Sequence, residues 1–199
     1  MQSAQLKELV LQSLEHERGG VLVYQTALEC VVNQDLKGEW QHYKEQTEAH
    51  VTALEKVCQA LGYDPAEKTP GCKVVEHMGK GLIQAMKMAQ AEGGKNAAEL
   101  VAGECVVFAE TRDHANWELL GKCAKELSGK EAAVLQEAYD RIEDEEDEHL
   151  YHSKGWWREL WLQSLGLEAV LPPPEEVKNV KSAIAAAKAQ KDSEASRRH

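Results

Sequence analysis

The sequence predicts an all-α protein, a bundle of four long helices in which two helical hairpins are joined by one long crossover connection. Strong helix formers, chiefly Ala, Glu, Leu, Lys and Gln, dominate the 199 residues, and only five prolines interrupt them. This length suits one domain of ordinary size with a real core. The hairpins are separated by roughly thirty residues that contain a helix of their own, which is the layout of an up-down bundle with a single crossover.

Turn and breaker residues set the ends of the predicted helices. The four long helices are predicted over residues 4–33, 36–61, 96–127 and 131–153. The second ends at Gly62, which can take a positive φ, and before Pro65, which cannot continue a helix. The crossover helix ends at Gly93 and Gly94. We expect a disturbance of the fourth helix at Gly155.

The last part of the chain predicts a cap and an extension. The segment "GWWRELWLQSLGL" (155–167) is expected to form a helical cap over one end of the bundle. Three prolines in "LPPPEE" then fix an extended segment, so the bundle domain is predicted over 1–171. Residues 172–199, rich in Ala and Lys, are expected to form a lone helix that projects from the body or packs on a neighbouring subunit. We expect a homodimer.

Charge and cysteine usage exclude several classes of function. The formal net charge of −11 argues against a nucleic-acid partner, which requires a basic surface, and is compatible with cations as ligands. The chain shows no membrane-spanning apolar run and no signal peptide at its start. The five cysteines are odd in number and form no CxxC pair. They are typical of reduced thiols, so we expect a cytoplasmic protein without a membrane partner.

Polar residues interrupt the apolar seams of the predicted helices. Helices in a bundle present residues at alternating steps of three and four to the shared core. Glu17 falls in the middle of the seam of the first helix, and Thr47 and His50 fall in that of the second. In the acidic run "EDEEDEHLYH" of the fourth helix, only Glu146 and His149 share the inward phase, and the other acids face solvent.

The third helix carries two competing seams, one with Glu110 and one with Glu104. Antiparallel helices joined by a short turn place residues equidistant from the turn at the same level. Counting from the turn at "SGK" selects Glu110 as the residue level with Glu146 and His149. The turn near Asn33 likewise sets Glu17 opposite His50. The sequence therefore predicts that inward polar residues from all four helices meet near the middle of the bundle.

These residue types indicate a metal site. A buried carboxylate costs several kcal/mol unless it is paired, protonated or bound to a metal. The spacing Glu146-x-x-His149 puts a carboxylate and an imidazole one turn apart on one face, where both can reach one cation. Mixed carboxylate and imidazole ligands suit iron, manganese or zinc. The predicted ligands are Glu17, His50, Glu110, Glu146 and His149.

Over roughly residues 4–153 the chain resembles the ferritin-like superfamily of di-iron and di-manganese carboxylate proteins. In that pattern two helices give one Glu each, here Glu17 and Glu110, and two give a Glu-x-x-His, here Glu146 with His149. The second helix departs from the pattern, because Thr47 stands where the Glu before His50 should be. The resemblance implies one or two iron or manganese ions. It also implies an oxidase or ferroxidase activity in metal handling or stress defence.

Two alternatives stay open at the level of sequence. The same five polar residues could form a metal-free hydrogen-bonded cluster in a non-catalytic scaffold that acts through its acidic surface and its C-terminal helix. Around the cluster, His114 and His152 lie one turn from predicted ligands, and Tyr24 and Tyr43 lie on the seams. His16 is expected on the surface.

Overall fold

The computed structural model describes residues 3–197, and within them the protein is all-α, as the sequence predicts. The six helices are α1 (Ser3–Cys30), α2 (Gln34–Ala60), α3 (Pro70–Glu92), α4 (Gly94–Glu126), α5 (Gly129–Ser164) and α6 (Ala183–Ser196). Residues 3–197 contain no β-strand. Within the same residues, no helix combines the length and the apolar character that a membrane span requires.

Helices α1, α2, α4 and α5 form a bundle in which each of the four contacts two of the other three. Helix α1 packs on α2 and α4, and α5 packs on α2 and α4, so these four helices enclose one interior. Helix α3, the crossover, lies along the outside against α1 and α4. Two apolar clusters fill the interior, one around Leu14, Leu54 and Ile142 and the other around Tyr24 and Val106. The level between these two clusters is where the inward polar residues lie.

Local chemistry explains the helix ends. The side chain of Asn33 accepts hydrogen bonds from the backbone N–H groups of Asp35 and Leu36 at 3.0 and 3.1 Å, so Asn33 caps α2 rather than ending the first helix as predicted. Thr69 caps α3, which begins with Pro70 at its first position. Gly94 has a φ of 75°, and this left-handed residue separates α3 from α4.

The predicted disturbance at Gly155 is wrong, and the segment predicted as a helical cap is helical but continuous with α5. Helix α5 continues through Gly155 to Ser164, and Trp156 is buried within the core. Glycine at this position lets Glu175 approach the backbone of α5 closely, because a Cβ atom here would lie 2.9 Å from Cδ of Glu175. The returning C-terminal segment therefore explains this glycine better than a helix break does.

The C-terminal helix returns to its own chain, contrary to the prediction of a lone helix that projects outward or packs on a neighbouring subunit. Helix α6 packs on α5, and Glu159 at the contact is fully buried. Ser193 donates a hydrogen bond to Glu159 at 3.0 Å, and Arg197 and Arg158 form ion pairs with the same carboxylate. Removing residues 172–199 would therefore take away Ser193 and Arg197, two of the four partners that this buried acid has among residues 3–197.

Substitution of Gly121 tests the packing of α4 on α5. A Cβ atom at Gly121 would overlap the ring of Tyr139, so Gly121→Ala is expected to lower the free energy of unfolding by about 1–3 kcal/mol. Gly38→Ala is the matched control, since nothing lies within 4 Å of a Cβ atom there. That change should stabilise the helix by about 0.5–1 kcal/mol. Urea unfolding measures both, and equal stability of the two variants would contradict this packing.

Candidate metal centre

The structure brings all five predicted site residues together in the middle of the bundle. Helices α1, α2, α4 and α5 each contribute, and no side chain of the five is more than 5% exposed. They form two groups of three that have Glu146 in common. The first group is Glu17, His50 and Glu146, and the second is Glu110, Glu146 and His149. Within each group, one ligand atom from each residue lies within 4.8 Å of the others.

The carboxylate of Glu146 occupies the centre of the arrangement. Its Oε1 atom lies 2.9 Å from Nδ1 of His50 and 3.5 Å from Nδ1 of His149. Nδ1 of His50 is also 3.5 Å from Oε2 of Glu17. On the other side, Nδ1 of His149 is 3.5 Å from Oε2 of Glu110. Each imidazole thus faces two carboxylates, and Glu146 is the one they share.

Outer hydrogen bonds fix the orientation of the inward groups. Nε2 of His50 lies 2.7 Å from a carboxylate oxygen of Glu145, and Nε2 of His149 lies 2.9 Å from the side-chain oxygen of Gln46. A ring N–H donated outward in this way leaves Nδ1 of each ring toward the centre. Trp117 donates its indole N–H to Oε1 of Glu17 at 2.7 Å, which leaves Oε2 toward the centre.

The inward atoms of the five residues lack hydrogen-bond partners among residues 3–197. These six buried atoms are Oε2 of Glu17, Nδ1 of His50, Oε2 of Glu110, both carboxylate oxygens of Glu146, and Nδ1 of His149. The short distances between them therefore lack the angles of hydrogen bonds. Buried polar atoms without partners are rare and costly, whereas atoms aimed at a common point are what a cation requires.

Burial and mutual charge set the protonation of the cluster. Burial raises the pKa of Glu17 and of Glu110 above the usual range for a carboxyl group. Burial also opposes the charged form of Glu146, but the close approach and the positive charges of His149 and His50 outweigh it and lower its pKa. For His149, burial disfavours the cation, yet Glu110 and Glu146 raise its pKa to about 9. The metal-free cluster therefore holds protonated imidazole beside the ionised Glu146.

Thr47, at the position where the ferritin-like pattern has a Glu, does not face the centre as a ligand. Its hydroxyl donates to the backbone carbonyl of Tyr43 at 2.8 Å. Its methyl group lies 3.3 Å from where a Cβ atom of Gly20 would be, so α1 and α2 approach closely here. The neighbouring Glu48 is half exposed and pairs with Lys44 on the surface, so it does not replace the missing carboxylate.

Asp113 is a fourth acid at this level that the sequence reasoning missed. It is 4% exposed, and its Oδ1 atom has no hydrogen-bond partner among residues 3–197. Burial and the nearby charges of Glu17, Glu146 and Glu110 raise its pKa well above the usual range. Its position three residues after Glu110 repeats the spacing of Glu146 and His149, and this was the available signal.

A smaller group of potential ligands lies one turn away. Glu39, His152 and Glu176 approach each other there, and Glu176 belongs to the segment that returns from the C-terminus. The hydroxyl of Tyr43 lies 2.7 Å from Nδ1 of His152, and the Tyr43 ring lies 4.2 Å from the ring of His149. Tyr43 therefore contacts both groups. His152 belongs to this outer group rather than supporting a ligand directly.

The other auxiliary predictions divide between the interior and the surface. His114 pairs with Asp147 at 2.6 Å, away from the five central residues. Tyr24 is buried, and its hydroxyl is close enough to Glu110 for that charge to add to burial in raising its pKa. His16 was expected on the surface, but its Nε2 donates to the backbone carbonyl of Ala109 at 3.0 Å, and burial lowers its pKa to about 4.

Comparisons of this chain with protein-family models, with curated proteins and with solved structures find no match.

Proposed function

We propose that this chain is a ferritin-like metal-binding protein that holds one or two iron or manganese ions between its four central helices. The observation that carries the proposal is the set of six unpartnered ligand atoms arranged in two groups about Glu146. Glu17, His50 and Glu146 would hold one ion, and Glu110, His149 and Glu146 the other. Zinc is the further candidate that these ligand types allow.

The ligand set supports an ion of the iron and manganese class. Three carboxylates and two imidazoles are hard and intermediate donors, and no cysteine belongs to either group. The order of contributions, one Glu from α1, one from α4 and a Glu-x-x-His from α5, is that of the ferritin-like pattern. Asp113 adds a fourth carboxyl group near the cluster, but its raised pKa favours the neutral form, so in the metal-free protein it does not replace the charge that is missing at Thr47.

The proposed activity is oxidation of Fe(II) by dioxygen, in metal handling or stress defence. Two Fe(II) ions give one electron each, and dioxygen takes both with two protons to become hydrogen peroxide. The protein would position the ions, offset their charge and keep water away from them. The carboxylates bind the incoming cations, the outer partners hold the imidazoles in orientation, and the two apolar clusters exclude water above and below.

The alternative is a non-catalytic scaffold with a metal-free cluster. The raised pKa of His149 favours this alternative, because a protonated imidazole beside Glu110 and Glu146 is a stable partner for both carboxylates. The six unpartnered atoms favour the metal site, because hydrogen-bonded ion pairs would have satisfied them. In the scaffold alternative the protein takes up no stoichiometric metal.

Anaerobic titration with Fe(II) followed by admission of air tests the proposal. We expect up to two Fe(II) ions per chain, a near-ultraviolet ferric absorption after air, and oxygen consumption of one molecule for two ions. The double variant Glu146→Ala, His149→Ala serves as the comparison. Failure of the wild-type protein to take up Fe(II) or Mn(II), together with unchanged stability of that variant, would contradict the proposal.

Trp117 tests whether outer hydrogen bonds tune metal affinity. Trp117→Phe keeps most of the buried ring but removes the N–H that holds Oε1 of Glu17. We expect Mn(II) affinity at the Glu17 side to fall by about 10- to 100-fold, as for other outer-partner losses. Calorimetric titration measures this, with Trp161→Phe as a control because Trp161 is 38% exposed. Equal affinity in the two variants would show that Glu17 needs no such support.

A further inference from the structure

A separate apolar cavity of about 350 Å³ lies between α1, α3 and α4. Its wall is formed by small and apolar residues, including Gly19, Gly81, Leu82 and Phe108, with Arg112 as the charged member. Phe108 is 60% exposed, an unusual position for the single Phe of the chain. The volume is within the range of small-molecule sites, which are mostly apolar with a few placed polar groups.

Two glycines keep this cavity open without any packing reason of their own. Gly19 and Gly81 lie within α1 and α3, where glycine costs about 0.5–1 kcal/mol relative to Ala. A Cβ atom at either position would meet nothing within 4 Å, so no neighbouring element requires a glycine there. The stability cost of these two glycines is explained if the cavity that they leave open is needed to hold a ligand.

Arg112 supplies the polar anchor. Among residues 3–197 no carboxylate forms a salt bridge with it, and its buried Nε atom has no hydrogen-bond partner. Within the described part of the chain it makes two hydrogen-bond contacts, both long, 3.4 Å to the side-chain oxygen of Gln12 and 4.0 Å to Sδ of Met78. An unpaired guanidinium in a chain with net charge −11 is an anion site, and its planar fork matches a carboxylate.

We propose that this cavity binds a small organic acid, with its apolar body between α1 and α3 and its carboxylate on Arg112. His16, which also lines the cavity, is hydrogen-bonded to the backbone carbonyl of Ala109. The site is distinct from the candidate metal centre, although His16 and Ala109 directly precede Glu17 and Glu110 in the chain. Binding of the organic acid at this site therefore does not depend on metal binding at the candidate metal centre.

Calorimetric titration of the full-length, metal-free protein with octanoate, and separately with 1-octanol, tests this site. Octanoate is expected to bind at least about tenfold more tightly than the alcohol, because a charge-assisted hydrogen bond contributes that much or more. Arg112→Gln should weaken octanoate by about tenfold or more and leave octanol unchanged. Glu146→Gln should not alter octanoate binding, which separates this site from the metal proposal.

Filling the cavity with a larger side chain provides a second test of the proposal. Gly19→Leu should abolish octanoate binding while the protein stays folded, because its Cβ atom enters open space. Gly38→Leu is the matched control, a helical glycine with equally open surroundings but outside the cavity, and it should bind octanoate normally. Absence of octanoate binding, equal affinity for octanoate and octanol, or insensitivity to both Arg112→Gln and Gly19→Leu would overturn the proposal.

Discussion

Glu146→Gln is expected to remove both metal ions at once, whereas Glu17→Gln and Glu110→Gln each remove one. Glu146 is the carboxylate common to both groups, while Glu17 and Glu110 belong to one group each. An amide of the same shape keeps the packing but loses the charge and one acceptor oxygen. We expect Mn(II) affinity at both positions to fall by more than about a hundredfold, beyond what loss of an outer partner produces.

Equilibrium dialysis with elemental analysis measures the stoichiometry in each variant. Glu143→Gln is the control, since Glu143 lies one turn earlier on α5 and is exposed. Glu146→Asp tests whether the length of the side chain is needed to bring the carboxylate to both ions, because it keeps the carboxylate but shortens the side chain. If Glu146→Gln binds two ions with wild-type affinity while remaining folded by circular dichroism, Glu146 is not a shared ligand.

The metal-free protein is expected to lose stability as the pH rises from 6.5 to about 9. The pKa of His149 is raised from its ordinary value of 6.5 to about 9 in the folded state, through Glu110 and Glu146 acting against burial. Between these two values the folded protein binds more protons than the unfolded chain, so the free energy of unfolding falls with rising pH. The stabilisation from this group is about 3 kcal/mol; it is fully present below pH 6.5 and is lost as the pH rises through about 9. The raised pKa of His50 acts in the same direction.

Bound metal should reverse this trend. A cation takes the place of the imidazole protons, so its binding releases protons and strengthens with pH. Urea unfolding at pH 6.5 and pH 9, with chelator and with Mn(II), measures the difference. His77→Gln is the control, as His77 is exposed on α3. A metal-free stability that is constant or increases over this range would contradict the assigned protonation of the cluster.

Helical phase, together with the levels that short turns set, predicts five of the polar residues that point inward. Glu17, His50, Glu110, Glu146 and His149 were found because a seam repeats at steps of three and four, and because short turns fix the relative levels of neighbouring helices. Both are local properties of the sequence. The level argument chose Glu110 over Glu104, and the structure places Glu110 in the cluster and leaves Glu104 exposed.

What sequence reasoning missed depends on contacts between distant segments. The sequence predicts a disturbance of the helix at Gly155, but this glycine makes room for Glu175, which lies twenty residues later on a segment whose return helical phase does not predict. The docking of α6 likewise depends on the partners of Glu159. Asp113 lies on neither of the two seams predicted for α4, so periodicity does not select it.

Anomalous X-ray diffraction from crystals soaked in Mn(II) tests the central claim most directly. We predict two anomalous peaks, one among Glu17, His50 and Glu146 and the other among Glu110, Glu146 and His149. A map without a peak in this cluster, or with peaks only beside Glu39, His152 and Glu176, would contradict it.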